Sequence, residues 1–203
     1  MDKKCIVSII FLLSLGIISA CGPQSVPAKQ KASDVSYGEM QIINELFTKN
    51  NITLENLNPT NIKTDGSGNR HIVFDQYYND LLVTPGNTIY HFNKEGNLTS
   101  VSGKRIDVVD VSANPNLNEE NAFAIAKPEL IKLGSARFNK RAYETQLIYF
   151  SKIYYENNGV HNPKTKYTLA WLIKPQGKEE WPRVIVDAQN GSIIIKDSGI
   201  IVG

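Results

Sequence analysis

The stretch HIVFDQYYNDLLVTPGNTIYHFNKEGNLTSVSG, residues 71–103, alternates apolar and polar side chains over most of its length. Successive side chains of an extended chain point to opposite faces, so this pattern describes strands with one buried face and one wet face. His71 to Tyr78 reads as a strand, Leu81 to Thr84 as a short apolar piece, and Pro85-Gly86-Asn87 as a turn into a second strand, Thr88 to Asn93. Lys94-Glu95-Gly96-Asn97 is a hairpin turn with a Gly available for positive φ, and Leu98 to Ser102 is the returning strand. A meander with one apolar face needs a cover. The preceding residues provide one: Ser36 and Glu39 stand at capping-box spacing ahead of Met40, Ile43, Leu46 and Phe47, which recur on one helical face. NNITLENLNPT, with its Asn and Pro punctuation, is expected to end that helix.

Beyond a polar connection from Lys104 to Pro115, a second unit begins at NLNEENAFAIAKPEL. Asn118 can cap a helix, Glu119 and Glu120 suit its first turn, and Ala122, Phe123, Ile125 and Ala126 form its apolar face. Pro128 is expected to kink or end it early. Strands are expected at about 144–155, 166–174, 181–188 and 192–196, with Asn190-Gly191 as a type I′ turn between the last two. The fold class is therefore α+β, in two small units, each an antiparallel sheet packed against a helix.

The composition fits an ordinary folded chain of 203 residues, 41% hydrophobic and 21% charged. A formal net charge of +2 gives no electrostatic argument for binding nucleic acid. At the N-terminus Lys3 and Lys4 precede an apolar run from Cys5 to Ala20. That run is shorter than the ~20 residues needed to span a bilayer as a helix, and residues 1–20 read as a signal peptide. Ile18-Ser19-Ala20-Cys21 resembles the lipobox of bacterial lipoproteins, in which the Cys carries the lipid; the alternative is a plain secretory signal. The resemblance implies export and a lipid anchor through Cys21 on a bacterial cell membrane. Residues 21–34, rich in Pro, Ser, Ala, Gln and Lys, read as a flexible tether.

FDQYYNDLLV followed by TIYHFNKEGNLTSVSG resembles the fungalysin/thermolysin propeptide (FTP) domain of thermolysin-type zinc metalloproteases. Phe74, Gln76, Tyr78, Asn79, Val83, His91, Gly96, Ser102 and Gly103 carry the likeness; Asp80 and Leu82 depart from it, where the family usually has Gly and Pro. YTLAWLIKP and WPRVIVDAQNGSIIIKD, with Val186, Asp187, Ala188 and Gly191, resemble the PepSY domain that follows FTP in the same pro-regions. The resemblance divides the chain into an FTP-like domain at 35–103, a linker at 104–117, a PepSY-like domain at 118–198 and an apolar tail at 199–203.

The chain lacks the equipment of the enzymes those pro-regions serve. A thermolysin-type protease needs two His four residues apart with Glu between them, so that both imidazoles meet one zinc. Here the three histidines are His71, His91 and His161. His71 and His91 lie in expected strands and read as side chains on a pleated surface. There is no Gly-rich phosphate loop, Ser elbow or Cys nucleophile, and the adjacent pairs Glu119-Glu120 and Glu179-Glu180 read as solvated charge. Tyr77, Tyr78, Tyr154, Tyr155, Trp171 and Trp181 read first as core and sheet-face residues. The expectation is a non-enzyme without cofactor or metal. Three roles stay open: an inhibitor or folding helper in trans of a thermolysin-type metalloprotease, an envelope binding module unrelated to proteases, or a remnant of a zymogen. In the family, the segment after the last strand leads toward the catalytic domain, so the resemblance implies that Ile200, Ile201 and Val202 could dock in a protease cleft. Alternatively they extend the sheet edge or cover the core.

Overall fold

A computed structural model describes residues 35–103, 105–106, 108, 111–134, 142–157, 166–177 and 181–199. The signal peptide, the tether, Cys21, His161, Glu179, Glu180 and Ile200 to Val202 lie outside the described residues.

Helix α1, Tyr37–Lys49, begins at the expected capping box: Ser36 Oγ accepts from Glu39 N, and the Glu39 carboxylate accepts from Ser36 N at 2.7 Å. Its buried side chains are Ile43, Leu46 and Phe47. They cover a four-stranded region made of β1 (Leu57–Thr64), β2 (Arg70–Tyr78), β3 (Leu81–Phe92) and β4 (Leu98–Ser102). Phe47 sits 5.0–5.8 Å, centroid to centroid, from Tyr90, Phe74 and Phe92, and these rings with Ile72 and Leu57 form one core.

Strand β1 was not expected, because Pro59 and the surrounding Asn residues read as punctuation. Proline lacks the N–H of a ladder bond and is confined to edges and bulges. Here β1 is the edge strand, and its register shifts between Pro59 and Asn61. Strand β3 is also longer than expected. It runs through Pro85-Gly86-Asn87 as an irregularity: Gln76 faces Val83, yet Phe74 already faces Thr88. The tight turn lies at Asn79-Asp80 instead, both with positive φ (46° and 60°), between the paired residues Tyr78 and Leu81. That is type I′ geometry, which Asn and Asp tolerate better than other non-Gly residues.

The second region contains α2 (Glu119–Lys132), β5 (Tyr143–Phe150), α3 (Lys152–Glu156), β6 (Thr168–Pro175), β7 (Arg183–Asp187) and β8 (Ile193–Asp197). Helix α2 does not stop at Pro128. It continues to Lys132 because Leu130 is buried in the core, while Glu129 receives ion pairs from Lys132 at 2.8 Å and Lys196 at 3.1 Å. Residues expected to prolong β5 fold instead as α3, capped by Ser151 Oγ accepting from Tyr154 N. The turn between β7 and β8 is not type I′ at Asn190-Gly191: only Gly191 has positive φ, and Asp187 and Ser192 close a wider loop, N to O 2.8 Å.

The two regions share one sheet, ordered β1-β2-β3-β5-β6-β7-β8, with β4 beside β3. The α+β class holds, but the two sheets are continuous, joined where Leu82, Val83 and Thr84 of β3 pair in parallel with Ile148, Tyr149 and Phe150 of β5. One edge of β3 thus serves β5 along one part and β4 along another. Nor is the connection after Gly103 merely polar. Ile106 and Val108 are buried in the core under α2, and buried Gln76 clamps Ile106 by accepting from its N–H at 2.8 Å and donating to its carbonyl. By alternation Ile72, Phe74 and Gln76 face one side, and Gln76 pairs with Val83 of the α2 core, so both long helices cover the same side of the sheet.

Candidate functional site

Most of the motif residues build the fold. Phe74 is in the α1 core, Gln76 holds Ile106, and Tyr78 lies edge-on against Tyr149 at 5.6 Å. Asn79 forms the type I′ turn. Gly96 turns at φ 81° against Leu46, and Gly103 at φ 80° lies so close to Asn87 that a Cβ would stand 2.4 Å from its carbonyl oxygen. Two motif residues do otherwise. His91 and Ser102 lie on the side of the sheet away from α1, where His71, Val73, Ile89 and His91 are half-buried and Ser102 is exposed.

On that open side His71 and His91 are opposite each other in the β2–β3 register, with Nδ1 to Nδ1 2.7 Å and ring planes at 67°. His71 Nε2 is 3.3 Å from Asp65 Oδ2, and His91 Nε2 is 2.9 Å from Ser102 Oγ. Asp65 is fixed by its own turn: its Oδ1 accepts from Ser67 N and Asn69 N, its Oδ2 from Asn69 Nδ2. These hydrogen bonds from Asn69, with smaller ones from Ser67 and His71, hold the Asp65 carboxyl at about 2. The expectation of two histidines on a pleated surface understated their geometry. They form a row, Asp65, His71, His91, Ser102, across four elements. Alternation alone puts His71 and His91 in strands, but their facing depends on the irregularity at residues 84–87. With the register of the first turn continued, His71 would face Thr88.

A second cluster stands where the chain leaves β8. Asp197 Oδ2 accepts from Tyr155 Oη at 2.6 Å, Trp181 Nε1 at 3.1 Å and Arg183 Nη2 at 3.1 Å, while its Oδ1 accepts from Gly199 N at 2.9 Å. The Arg183 guanidinium lies between the Tyr155 and Trp181 rings, 5.4 Å from each centroid. Burial pushes the Asp197 carboxyl up, but the hydrogen bonds and the Arg183 charge outweigh it and bring it down to about 2. Gly199, at φ 72°, lies against Trp181 so closely that a Cβ would meet its Cγ at 2.4 Å. The cluster fixes the direction of the backbone just before Ile200. Of the aromatics read as core, Tyr77, Tyr154 and Trp171 are buried, Tyr78 and Tyr155 are half-buried, and Trp181 is 47% exposed.

Neither cluster has the form of a protease centre. Glu119 and Glu120 occupy the first turn of α2. A shallow depression between α1 and the β3–β4 hairpin is lined by Glu45, Lys49, Arg70, Lys94 and Glu95, with neither nucleophile nor imidazole. Among the described residues no group of three or more His, Cys, Asp or Glu converges as a metal cage, and no helix is long and apolar enough to cross a membrane.

Residues 55–104 match the family described as the Fungalysin/Thermolysin Propeptide Motif, a span that runs from the start of β1 to the end of β4. A search of curated proteins finds no match. Among the solved structures that match is the Bacillus megaterium YpeB C-terminal domain, 14% identical with a TM-score of 0.39, covering 83% of this chain and 67% of that one. A likeness at that level says nothing about role.

Proposed function

We propose that this chain is a lipid-anchored, propeptide-like lipoprotein of a bacterial cell envelope, itself no enzyme, that acts in trans on a secreted thermolysin-type zinc metalloprotease as inhibitor or folding helper. The observation that carries this reading is the propeptide motif at 55–104, folded as a complete four-stranded region beneath α1. The second region, read as PepSY-like, extends the same sheet, and its last strand ends in the Asp197 cluster. Ile200, Ile201 and Val202 follow that cluster directly and supply three aliphatic side chains for a protease cleft. Burying them contributes a gross ~5 to 8 kcal/mol, at ~1.5 to 3 each. Fixing side chains in a cleft and losing rigid-body freedom take back much of this, so useful inhibition also needs contact from the sheet.

The test is inhibition, and assisted refolding, of a thermolysin-type protease by the chain and by a form truncated after Ser198. The full form should inhibit at least tenfold better than the truncated one while both melt alike. Equal inhibition by both removes the tail from the contact. A chain that neither inhibits nor assists refolding overturns the protease reading and leaves the zymogen remnant and the envelope binding module, of which β4 favours the second: all five of its residues are exposed, and among the described residues it pairs only with β3. Anchoring is tested separately by fatty-acid labelling, which Cys21→Ala should abolish.

A further inference from the structure

We propose that the facing imidazoles of His71 and His91 form a two-histidine site for a late first-row divalent cation of the zinc, nickel or copper class, on the open side of the sheet. The argument starts from the protons. An ionised Asp65 carboxylate only accepts, so its 3.3 Å contact places the hydrogen of a neutral His71 ring on Nε2 and leaves a lone pair on Nδ1. That lone pair points at His91 Nδ1, 2.7 Å away. His91 then has two choices. It can donate its Nδ1 hydrogen to His71 and accept from the Ser102 hydroxyl at Nε2. Or it can hold its hydrogen on Nε2, donate to Ser102 Oγ, and turn a second lone pair toward the first. A hydroxyl serves either arrangement.

In the second arrangement two nitrogen lone pairs converge on one small volume, and only a cation makes that favourable. Each far ring nitrogen then donates to an oxygen, one of them a carboxylate, which is the support that fixes the tautomer of metal-bound histidine. Asp65 is positioned for this without any metal, being tied by three hydrogen bonds from Ser67 and Asn69. In a tetrahedral site with Zn–N near 2.0–2.1 Å, two nitrogens stand about 3.3 Å apart. The present 2.7 Å lies about 0.6 Å short of that, and both rings are half-buried and not locked in the core. Imidazole suits zinc, nickel and copper, and not the hard ions calcium and magnesium. Two protein nitrogens leave positions for water or for a side chain brought by a partner. The site therefore binds modestly by itself and gains from a partner that supplies a third ligand. Lys63, exposed and opposite His71 in the β1–β2 register, is the nearest cationic neighbour on β1 and works against the ion.

Equilibrium dialysis of the full chain in detergent against Zn²⁺ tests this, in a Cys5→Ser, Cys21→Ser background that removes thiolate ligands. One Zn²⁺ should be held per chain. His71→Ala and His91→Ala should each weaken retention at least tenfold, His161→Ala should leave it unchanged, and Asp65→Asn should weaken it by about tenfold, as loss of a supporting partner does. Zn²⁺ should also raise the melting temperature of the parent protein and of His161→Ala, but not of the other histidine variants. His71→Gln and His91→Gln, with their zinc-free melting temperatures measured, serve if an alanine variant does not fold. No retained zinc, or retention that survives the loss of both His71 and His91, overturns the proposal.

Discussion

Under α1 the sheet buries Ile72, Phe74, Tyr90 and Phe92, while His71, Val73, Ile89 and His91 on its other side stay half-buried. In the second region both sides are buried. Leu147, Tyr149, Trp171 and Val184 pack beneath α2, and Ile148, Phe150, Ala170, Leu172 and Ile185 form a separate cluster on the reverse. The sequences differ accordingly: HIVFDQYY alternates, whereas LAWLI is apolar without a break. A side that is not needed for the core can carry polar chemistry, so the histidine row lies in the first region. The second region's polar cluster is confined to the ends of β7 and β8.

Four measurements would break or sharpen this contrast. Trp171→Ala should have the largest effect, about 4 kcal/mol of lost stability, because a fully enclosed indole leaves a cavity and its Nε1 abandons the Leu117 carbonyl at 2.7 Å. Denaturant unfolding should remain a single transition, since the sheet is continuous; a surviving α1–β4 transition would show the regions to be separable. Phe47→Ala should cost about 3 kcal/mol by the same mechanism, read in the same melt. Hydrogen exchange in that variant should quicken in β5–β8 as well as β1–β4, and protection unchanged in β5–β8 would again divide them. Gln76→Ala should cost about 2 kcal/mol, because both backbone groups of Ile106 lose their buried partner. The smallest effect concerns pH. The Asp197 carboxyl is held at about 2 in the folded chain, below its ordinary value near 3.9. Its contribution is present above about pH 4 and disappears as pH falls toward 2. Asp197→Asn should flatten that part of the stability curve and lower the plateau above about pH 4.

The features legible in the sequence were those with local causes. Ser36 and Glu39 announce α1, Gly96 announces the β3–β4 turn, and alternation announces β2. What was missed depended on tertiary neighbours. Pro59 looks like a breaker until its strand proves to be an edge, and Pro128 looks like one until Leu130 and Glu129 find partners. Asn190-Gly191 has the composition of a type I′ turn, yet the Asp187 carboxylate accepts from Gln189 N and Asn190 N and draws the loop wider. Ile106 and Val108 stand in a polar stretch, yet both are buried in the core, Ile106 with its two backbone groups held by Gln76. The facing of His71 and His91 rests on the extra residues of β3 at 84–87, for which alternation has no signal.

The shared edge of β3 also bears on the order of folding. The pairs β1–β2, β2–β3 and β3–β4 each join neighbouring segments, so they can form from short loops as soon as the chain reaches Ser102. The parallel pair of Leu82 with Ile148 must instead close a long intervening segment that includes all of α2. Loop closure costs grow only logarithmically with length, so the price in stability is small, but it must be met before the contact gives anything back. The first region is thereby cast as the template: during synthesis it presents the exposed edge of Leu82 to Thr84, and the second region completes itself by docking there.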